Sequence, residues 1–434
     1  MERRGRPRGV REEKGRCGAA GPGDPLAVRE ATQTSSPQPP GQEPRRHVHD
    51  HRAQIPFKIL KGHKHVVSSC HFCFEDNKII SSSFDRTVKL WAPIKCLLIV
   101  SLNLFKDAAT GVNINDFEEK HTAPISGCSL SADSKRVITS SYDKTIKAWD
   151  VETGKMLWSL SHENIILSCR ISPDGKYVVS GLDVENAICV TEAESGINIK
   201  YVRDHHKRPV TGCCFDPDSQ RVASVSSDRT IKIWDITART TLLTIQEAHS
   251  NIISDCCFTF SGHFLCTASW DKTLKIWDVK TGEFRHHGAC ISLMRGHEGS
   301  ISSCLFSQDA SLLVSGAYDK TVAVWDVAEG YRKLILKGHQ DWVMDVAISS
   351  NRKWILSASK DSTMRLWDIE KADNIPEVIE NKLAMGITVA QCEDCKKAFS
   401  LLQSNGNSED EAKCVFCRLA SPSRWELPSP PEVN

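Results

Sequence analysis

Residues 336–368 read LKGHQDWVMDVAISSNRKWILSASKDSTMRLWD. Gly338-His339 opens the stretch and Trp367-Asp368 closes it, with Asp361 standing 22 residues after the histidine and six before the tryptophan. The same spacing recurs at His63/Asp85/Trp91, His121/Asp143/Trp149, His206/Asp228/Trp234, His249/Asp271/Trp277 and His297/Asp319/Trp325. A degenerate copy begins at His162, with Leu182 and Val184 at the serine and aspartate positions and Val190-Thr191 where Trp-Asp stands elsewhere. Seven copies in one register make a repeat array of the chain, which overrides the two or three domains that 434 residues alone would suggest.

Within a repeat the residues alternate as half-buried strands do. In the sixth, ISSCLF (301–306) alternates small polar and apolar side chains, Ser307-Gln308-Asp309-Ala310 is a turn, and Tyr318-Asp319-Lys320 turns the chain into a further strand ending at Trp325. A fourth strand is expected in the variable segment before the next histidine, as at residues 333–336. Between Trp91 and His121 lie 29 residues where other repeats need 12–19, so residues 106–119 are expected to form a loop beside the first repeat unit.

Composition sets wider bounds. The chain is 40% hydrophobic and 25% charged with a net charge of +1, so no global field favours nucleic acid or an anionic membrane. No run of 18 apolar residues is present, and the basic N-terminus has no apolar segment behind it, which points to an intracellular chain, cytoplasmic or nuclear. Cysteine is frequent, at 18 residues, yet Cys70, Cys128, Cys169, Cys213, Cys256 and Cys304 all fall seven residues after the repeat histidine, where the seventh repeat has Val346. A thiol interchangeable with valine is a small buried hydrophobe. Residues 1–54, rich in Arg, Pro, Gly, Ser and Gln, read as a disordered tail, as do residues 419–434.

The GH…WD frame resembles the WD-repeat family, and the resemblance covers residues 55–368. It implies an all-β fold, a seven-bladed β-propeller with four strands per blade. The last repeat ends at Trp367-Asp368 after three strands, and IPFKIL (55–60) precedes the first GH with no blade of its own. The N-terminal strand is therefore expected to complete the seventh blade and close the ring. The resemblance further implies one buried hydrogen-bonded network per blade: His63/Ser83/Asp85/Trp91, His121/Ser141/Asp143/Trp149, His206/Ser226/Asp228/Trp234, His249/Ser269/Asp271/Trp277 and His339/Ser359/Asp361/Trp367. Ala317 leaves the set of His297, Asp319 and Trp325 a member short. A Ser–His–Asp trio also suggests nucleophilic catalysis, but an enzyme needs one such site and this chain repeats it.

No phosphate-cradling glycine loop, G-x-S-x-G elbow or H-E-x-x-H is present, so neither an enzyme nor a small-molecule substrate is expected. Resemblance to WD-repeat proteins implies a protein–protein interaction scaffold that takes a peptide or protein on one end of the propeller. The family's exposed positions map onto Phe84, Tyr142, Ile165, Leu167, Trp270, Tyr318, Trp342, Met344 and Lys360, with Phe84, Trp270, Tyr318 and Trp342 expected to form one arc. A second reading, the substrate receptor of a cullin-type ubiquitin ligase, rests on Trp277-Asp278-Val279-Lys280, which has Lys where the adaptor-binding box of such proteins has Arg.

After a connector (369–390), Cys392, Cys395, Cys414 and Cys417 form C-x2-C-x18-C-x2-C within residues 391–418. Four thiolates at this spacing suit a closed tetrahedral structural zinc site resembling a zinc ribbon. Nucleic-acid binding through this finger is a third reading, weakened by Glu409, Asp410 and Glu411 and the lack of a basic tail.

Overall fold

The computed structural model describes residues 55–92, 113–116, 121–280, 296–327, 331–375, 378–379, 388–391 and 398–401. Seven antiparallel sheets follow one another along the chain. In the sixth, the order from the inside outwards is Ile301–Phe306, Leu312–Ala317, Thr321–Asp326 and Tyr331–Lys337. The innermost strands touch in cyclic order, from Val67–Cys73 of the first sheet round to Val343–Ile348 of the seventh and back to the first. The architecture is a seven-bladed β-propeller.

Closure follows the expectation. Phe57–Lys61 pairs antiparallel with Thr363–Asp368, setting Phe57 against Trp367 and Leu60 against Met364. Leu60 is 2% exposed and packs with Val67, Cys70 and Trp91 of the first blade, so the closing strand joins both chain ends to one core. Beyond Asp368 the chain does not simply leave: Ile369, Ala372 and Val378 pack against Leu334, Leu336 and Trp367.

Each blade buries its inner strand against its neighbours. Cys70, Cys128, Cys169, Cys213, Cys256, Cys304 and Val346 are all at most 3% exposed, as befits one apolar position filled by thiol or isopropyl. Burial raises the thiol of Cys169 to about 11 and that of Cys213 to about 12, which keeps both protonated and unreactive.

Two expectations need correction. Residues 106–119 are not wholly a loop: Asn113–Asp116 is the fourth strand of the first blade, pairing Lys89 with Asp116 and Leu90 with Asn115. Its polar NIND sequence hid it, because only the ladder, and no apolar alternation, marks it as a strand. The degenerate third blade is also shifted. Its Tyr177 pairs with Glu192 as Arg136 pairs with Asp150 in the second blade, so Thr191-Glu192, not Val190-Thr191, holds the Trp-Asp place. The turn between Gly181 and Ile188 is one residue longer than that between Ser140 and Ile146.

Among the described residues no helix is long and apolar enough to cross a membrane. Thr388–Gln391 and Ala398–Leu401 form a separate antiparallel pair. Residues 1–54, 392–397 and 402–434, and with them Cys392, Cys395, Cys414 and Cys417, lie outside the described residues.

Candidate functional site

Six blades carry a polar network, five of them in one geometry, and donor chemistry fixes its direction. In the seventh, His339 Nδ1 is 2.8 Å from Asp361 Oδ2 and Nε2 is 2.7 Å from Ser357 Oγ, which also accepts the Trp367 indole N–H at 2.9 Å. An indole N–H can only donate, so the serine proton goes to Nε2, and the remaining imidazole proton, on Nδ1, goes to the carboxylate. Closely similar distances recur around His63, His121, His249 and His297.

The hydroxyl is not the one expected. It comes from Ser81, Thr139, Ser224, Thr267, Ser315 and Ser357, each two residues before the position occupied by Ser83, Ser141, Ser226, Ser269, Ala317 and Ser359. The expected set around Trp149 is corrected accordingly: its indole donates to Thr139 Oγ1 at 2.9 Å and not to Ser141. Trp91, Trp277 and Trp325 likewise donate to Ser81, Thr267 and Ser315, so the sixth blade is complete despite Ala317. Ser83 and its equivalents work on the turn instead: Ser83 donates to the Val66 carbonyl at 2.8 Å and accepts the Asp85 N–H at 3.0 Å. A further member went unread in the sequence. Thr87, Thr145, Thr230, Thr273, Thr321 and Thr363, two residues after the aspartate, donate to its Oδ1 at 2.5–2.6 Å.

The fourth blade corrects a second expected member, Trp234. His206 meets Ser224 at 2.9 Å and Asp228 at 3.2 Å, but the hydroxyl's other partner is the Nε2 of a second histidine, His205, at 3.1 Å. Trp234 is therefore not part of the hydrogen-bonded network. It stays 2% exposed and packs with Val179, Val190 and Val222, a purely apolar contribution. The reason lies one residue before the repeat histidine, where the first, sixth and seventh blades have glycine. A Cβ added at Gly296 would already overlap the Trp325 ring, and His205 puts a whole imidazole at that place.

Burial pushes the carboxyls of Asp85, Asp143, Asp228, Asp271, Asp319 and Asp361 up, but bonds from histidine, threonine and backbone N–H outweigh it and hold all six well below the usual range. Burial lowers the imidazoles of His206, His249 and His339, in keeping with neutral rings, and holds His205 down at about 3. In each network the bridging hydroxyl, from Ser81, Thr139, Ser224, Thr267, Ser315 or Ser357, is fully buried.

The third blade lacks all this. His162 Nε2, Ser180 Oγ and Asp183 Oδ1 are buried without a hydrogen-bond partner. Glu185 of its long turn pairs instead with Arg203, just beyond the outer strand, at 3.3 Å.

The expected partner residues divide. Trp270, Tyr318 and Trp342 make one cluster over the fifth, sixth and seventh blades, with Tyr318 stacked on Trp342 at 4.5 Å and 16°. Lys360 lies 4.0 Å above the Trp342 ring. Phe84 pairs with Tyr142 of the second blade at 5.8 Å and with His65 at 6.0 Å. Tyr142, Trp270 and Trp342 are 37–40% exposed; Phe84 and Tyr318 are half-buried supports. Leu167 and Met344 turn inward and line an axial cavity of about 100 Å³, while Ile165 is half-buried and its carbonyl accepts the Asp183 N–H.

That axial cavity is walled by hydroxyls and carries three charged side chains. Ser126, Thr211, Ser254 and Ser302 each donate to a carbonyl of the next blade at 2.5–2.7 Å. Asp345 accepts from Ser69 and Cys70 of the first blade and from Ser303 of the sixth, so one carboxylate ties three blades beside the closure. Arg170 reaches from the third blade to within 3.9 Å of Asp255 in the fifth.

Comparison with known proteins agrees with this geometry. The model of the WD domain, G-beta repeat, matches residues 54–92, 113–150, 154–190, 198–235, 240–278, 288–326 and 330–368. WD repeat-containing protein 88 of Homo sapiens is 59% identical over 370 residues, 85% of this chain and 75% of its own length. The U3 small nucleolar RNA-associated protein 15 homolog of Xenopus tropicalis is 30% identical over 40% of this chain and 31% of its own. Nuclear distribution protein nudF of Aspergillus niger is 30% identical over 42% of each chain. The chain thus spans less than half the length of the last two.

Proposed function

The chain belongs to the WD domain, G-beta repeat family, and from that premise we propose that it is a non-enzymatic interaction scaffold which takes a peptide or protein partner on the rim carrying the aromatic cluster. One observation carries the reading: three large rings from consecutive blades, Trp270, Tyr318 and Trp342, gather at the surface with two of them more than a third exposed. Large rigid side chains grouped this way anchor partners because they bury much area at small entropic cost. The networks beneath them hold the turns that present the rings; they do not react.

The test is Trp270→Ala, whose indole meets Tyr318 at 6.0 Å and carries little of the core. Proximity labelling with the variant should lose the main labelled protein while the melting temperature stays within a few degrees. Unchanged labelling would place the partner elsewhere.

The four cysteines of the C-terminal segment support a second element, a structural zinc site. Thr388–Gln391 pairs antiparallel with Ala398–Leu401, and Cys392 and Cys395 fall between these two strands in the sequence, a position that suits a pair of zinc thiolates. Metal analysis of the reduced chain should find a single zinc, lost in C392S/C395S with the propeller's melting unchanged; a chain without zinc removes this element.

A further inference from the structure

We propose that the partner taken on this rim is an acidic peptide segment carrying one large apolar side chain, an inference that rests on the rim's assignment as the partner face. In each regular blade the residue after the turn aspartate adopts a left-handed conformation, and in five of them it is basic: Arg86, Lys144, Arg229, Lys272 and Lys320, at φ of 68–71°. All five are exposed. Glycine takes this conformation freely, whereas a residue with a Cβ is strained there and Lys or Arg has no short polar group to offset the strain locally. The positive charges therefore stand where the turn itself would favour glycine. In the seventh blade Ser362 takes the left-handed place and Lys360 supplies the charge from two residues earlier.

The turn aspartates do not cancel this charge towards solvent. Their side chains are only 6–13% exposed and their oxygens are taken up by histidine, threonine and backbone donors. Lys360 has Asp341 at 3.8 Å, but both are about 40% exposed and such a pair is weak enough to exchange for a partner carboxylate. The third blade has the opposite sign, with Asp183 and Glu185 in its turn. An acidic segment is thus confined to the arc running from the fourth blade through the seventh to the second. The apolar requirement comes from Trp270, which meets Tyr318 at a tilt of 59° and is 37% exposed, leaving indole surface for a partner side chain. A single-stranded nucleic acid would also use rings and basic groups, but it carries a charge at every nucleotide and could not avoid the acidic Glu298 and Asp341 of these blades, whereas a peptide can space its few carboxylates to the basic turns.

The experiment pans the full chain against a random dodecapeptide library, then measures binding of the enriched peptides and of a random-sequence single-stranded RNA by fluorescence anisotropy. Wild type is compared with K272E/K320E/K360E and with W270A. The inference expects enriched peptides with net negative charge and one aromatic or aliphatic residue, weakened about tenfold or more by the triple reversal and by added salt. The reversal variant should melt with the wild type, since all three lysines are exposed. Neutral or basic peptides, or equal binding to the reversal variant, overturn the acidic assignment, and loss of binding in W270A alone would leave the rim reading standing. No effect of W270A either would overturn both. RNA bound more tightly than any peptide and lost in the same reversal would make the face a nucleic-acid surface.

Discussion

The third and seventh blades are built on the same frame and held by different means. In the seventh, Trp367 is 1% exposed and its indole, Ser357, His339 and Asp361 form an unbroken chain of donors and acceptors. In the third, Thr191 stands in the tryptophan's place, the turn is one residue longer, and the His162 Nε2 and Ser180 Oγ lie buried without hydrogen-bond partners. Both close as four-stranded sheets. Apolar packing alone, here of Val178, Leu182, Ala187 and Cys189 against the second blade, therefore suffices to make a blade. What the network adds is a fixed turn, and with it a fixed rim.

The difference can be attacked at several strengths. The largest effect belongs to acid, which reaches all six networks together. The turn aspartates are held below the usual carboxylate range, so their contribution is full above about pH 4 and is lost as pH falls further. Burial lowers His206, His249 and His339, so protons favour the unfolded chain below about pH 6.5 and stability declines from there. Urea midpoints should be level above about pH 6.5, fall gently towards pH 4 and steeply below it. A midpoint that rises on acidification would contradict the assignment of neutral histidines and ionised aspartates.

Next in size is the tryptophan. Trp367→Ala should cost about 3–5 kcal/mol, as loss of a fully buried ring does, whereas Thr191→Ala at the same register place of the third blade should cost about 1 kcal/mol. Similar losses from both, by chemical denaturation, would mean that the third blade is not distinct. Smaller again is the turn carboxylate: Asp361→Ala should cost about 1–3 kcal/mol, and Asp183→Ala clearly less, because Asp183 Oδ1 already lacks a partner.

Much of this was legible in the sequence. Spacing alone yielded seven repeats, a strand left over before the first of them and the apolar cysteine position; the resemblance to WD-repeat proteins implied the blades and the aspartate–histidine pair with its tryptophan. The hydroxyl was misplaced by two residues because side chains two apart on a strand share a face, and both Ser81 and Ser83 fit the pattern. Trp149 was thus assigned to Ser141 when it bonds Thr139. The sixth repeat held the answer: only the Ser315 position, and not that of Ala317, carries a hydroxyl in all six regular copies. Trp234 keeps its register but not its bond, and the doubled histidine at 205–206 was the one signal of that exchange. The one-residue shift in the third blade was invisible because the tryptophan that would have marked it is missing. The rim was half legible. Its residues were named, but the arc of four rings resolves into a cluster of three, with Phe84 paired to Tyr142 and Lys360 at the seventh blade's turn.

One difference separates the regular blades, fastened by a hydrogen-bonded network, from the third blade, where the remnants of that network are unfastened. It is tested most directly by two serines at the same place, each 18 residues after its repeat histidine: Ser357→Ala and Ser180→Ala. Removing Ser357 strands the His339 Nε2 and the Trp367 N–H and should cost about 1–3 kcal/mol by urea denaturation. Removing Ser180 deletes a buried hydroxyl that bonds nothing, and should leave stability unchanged or slightly raise it. Equal destabilisation by the two substitutions would mean that the third blade is fastened as the others are.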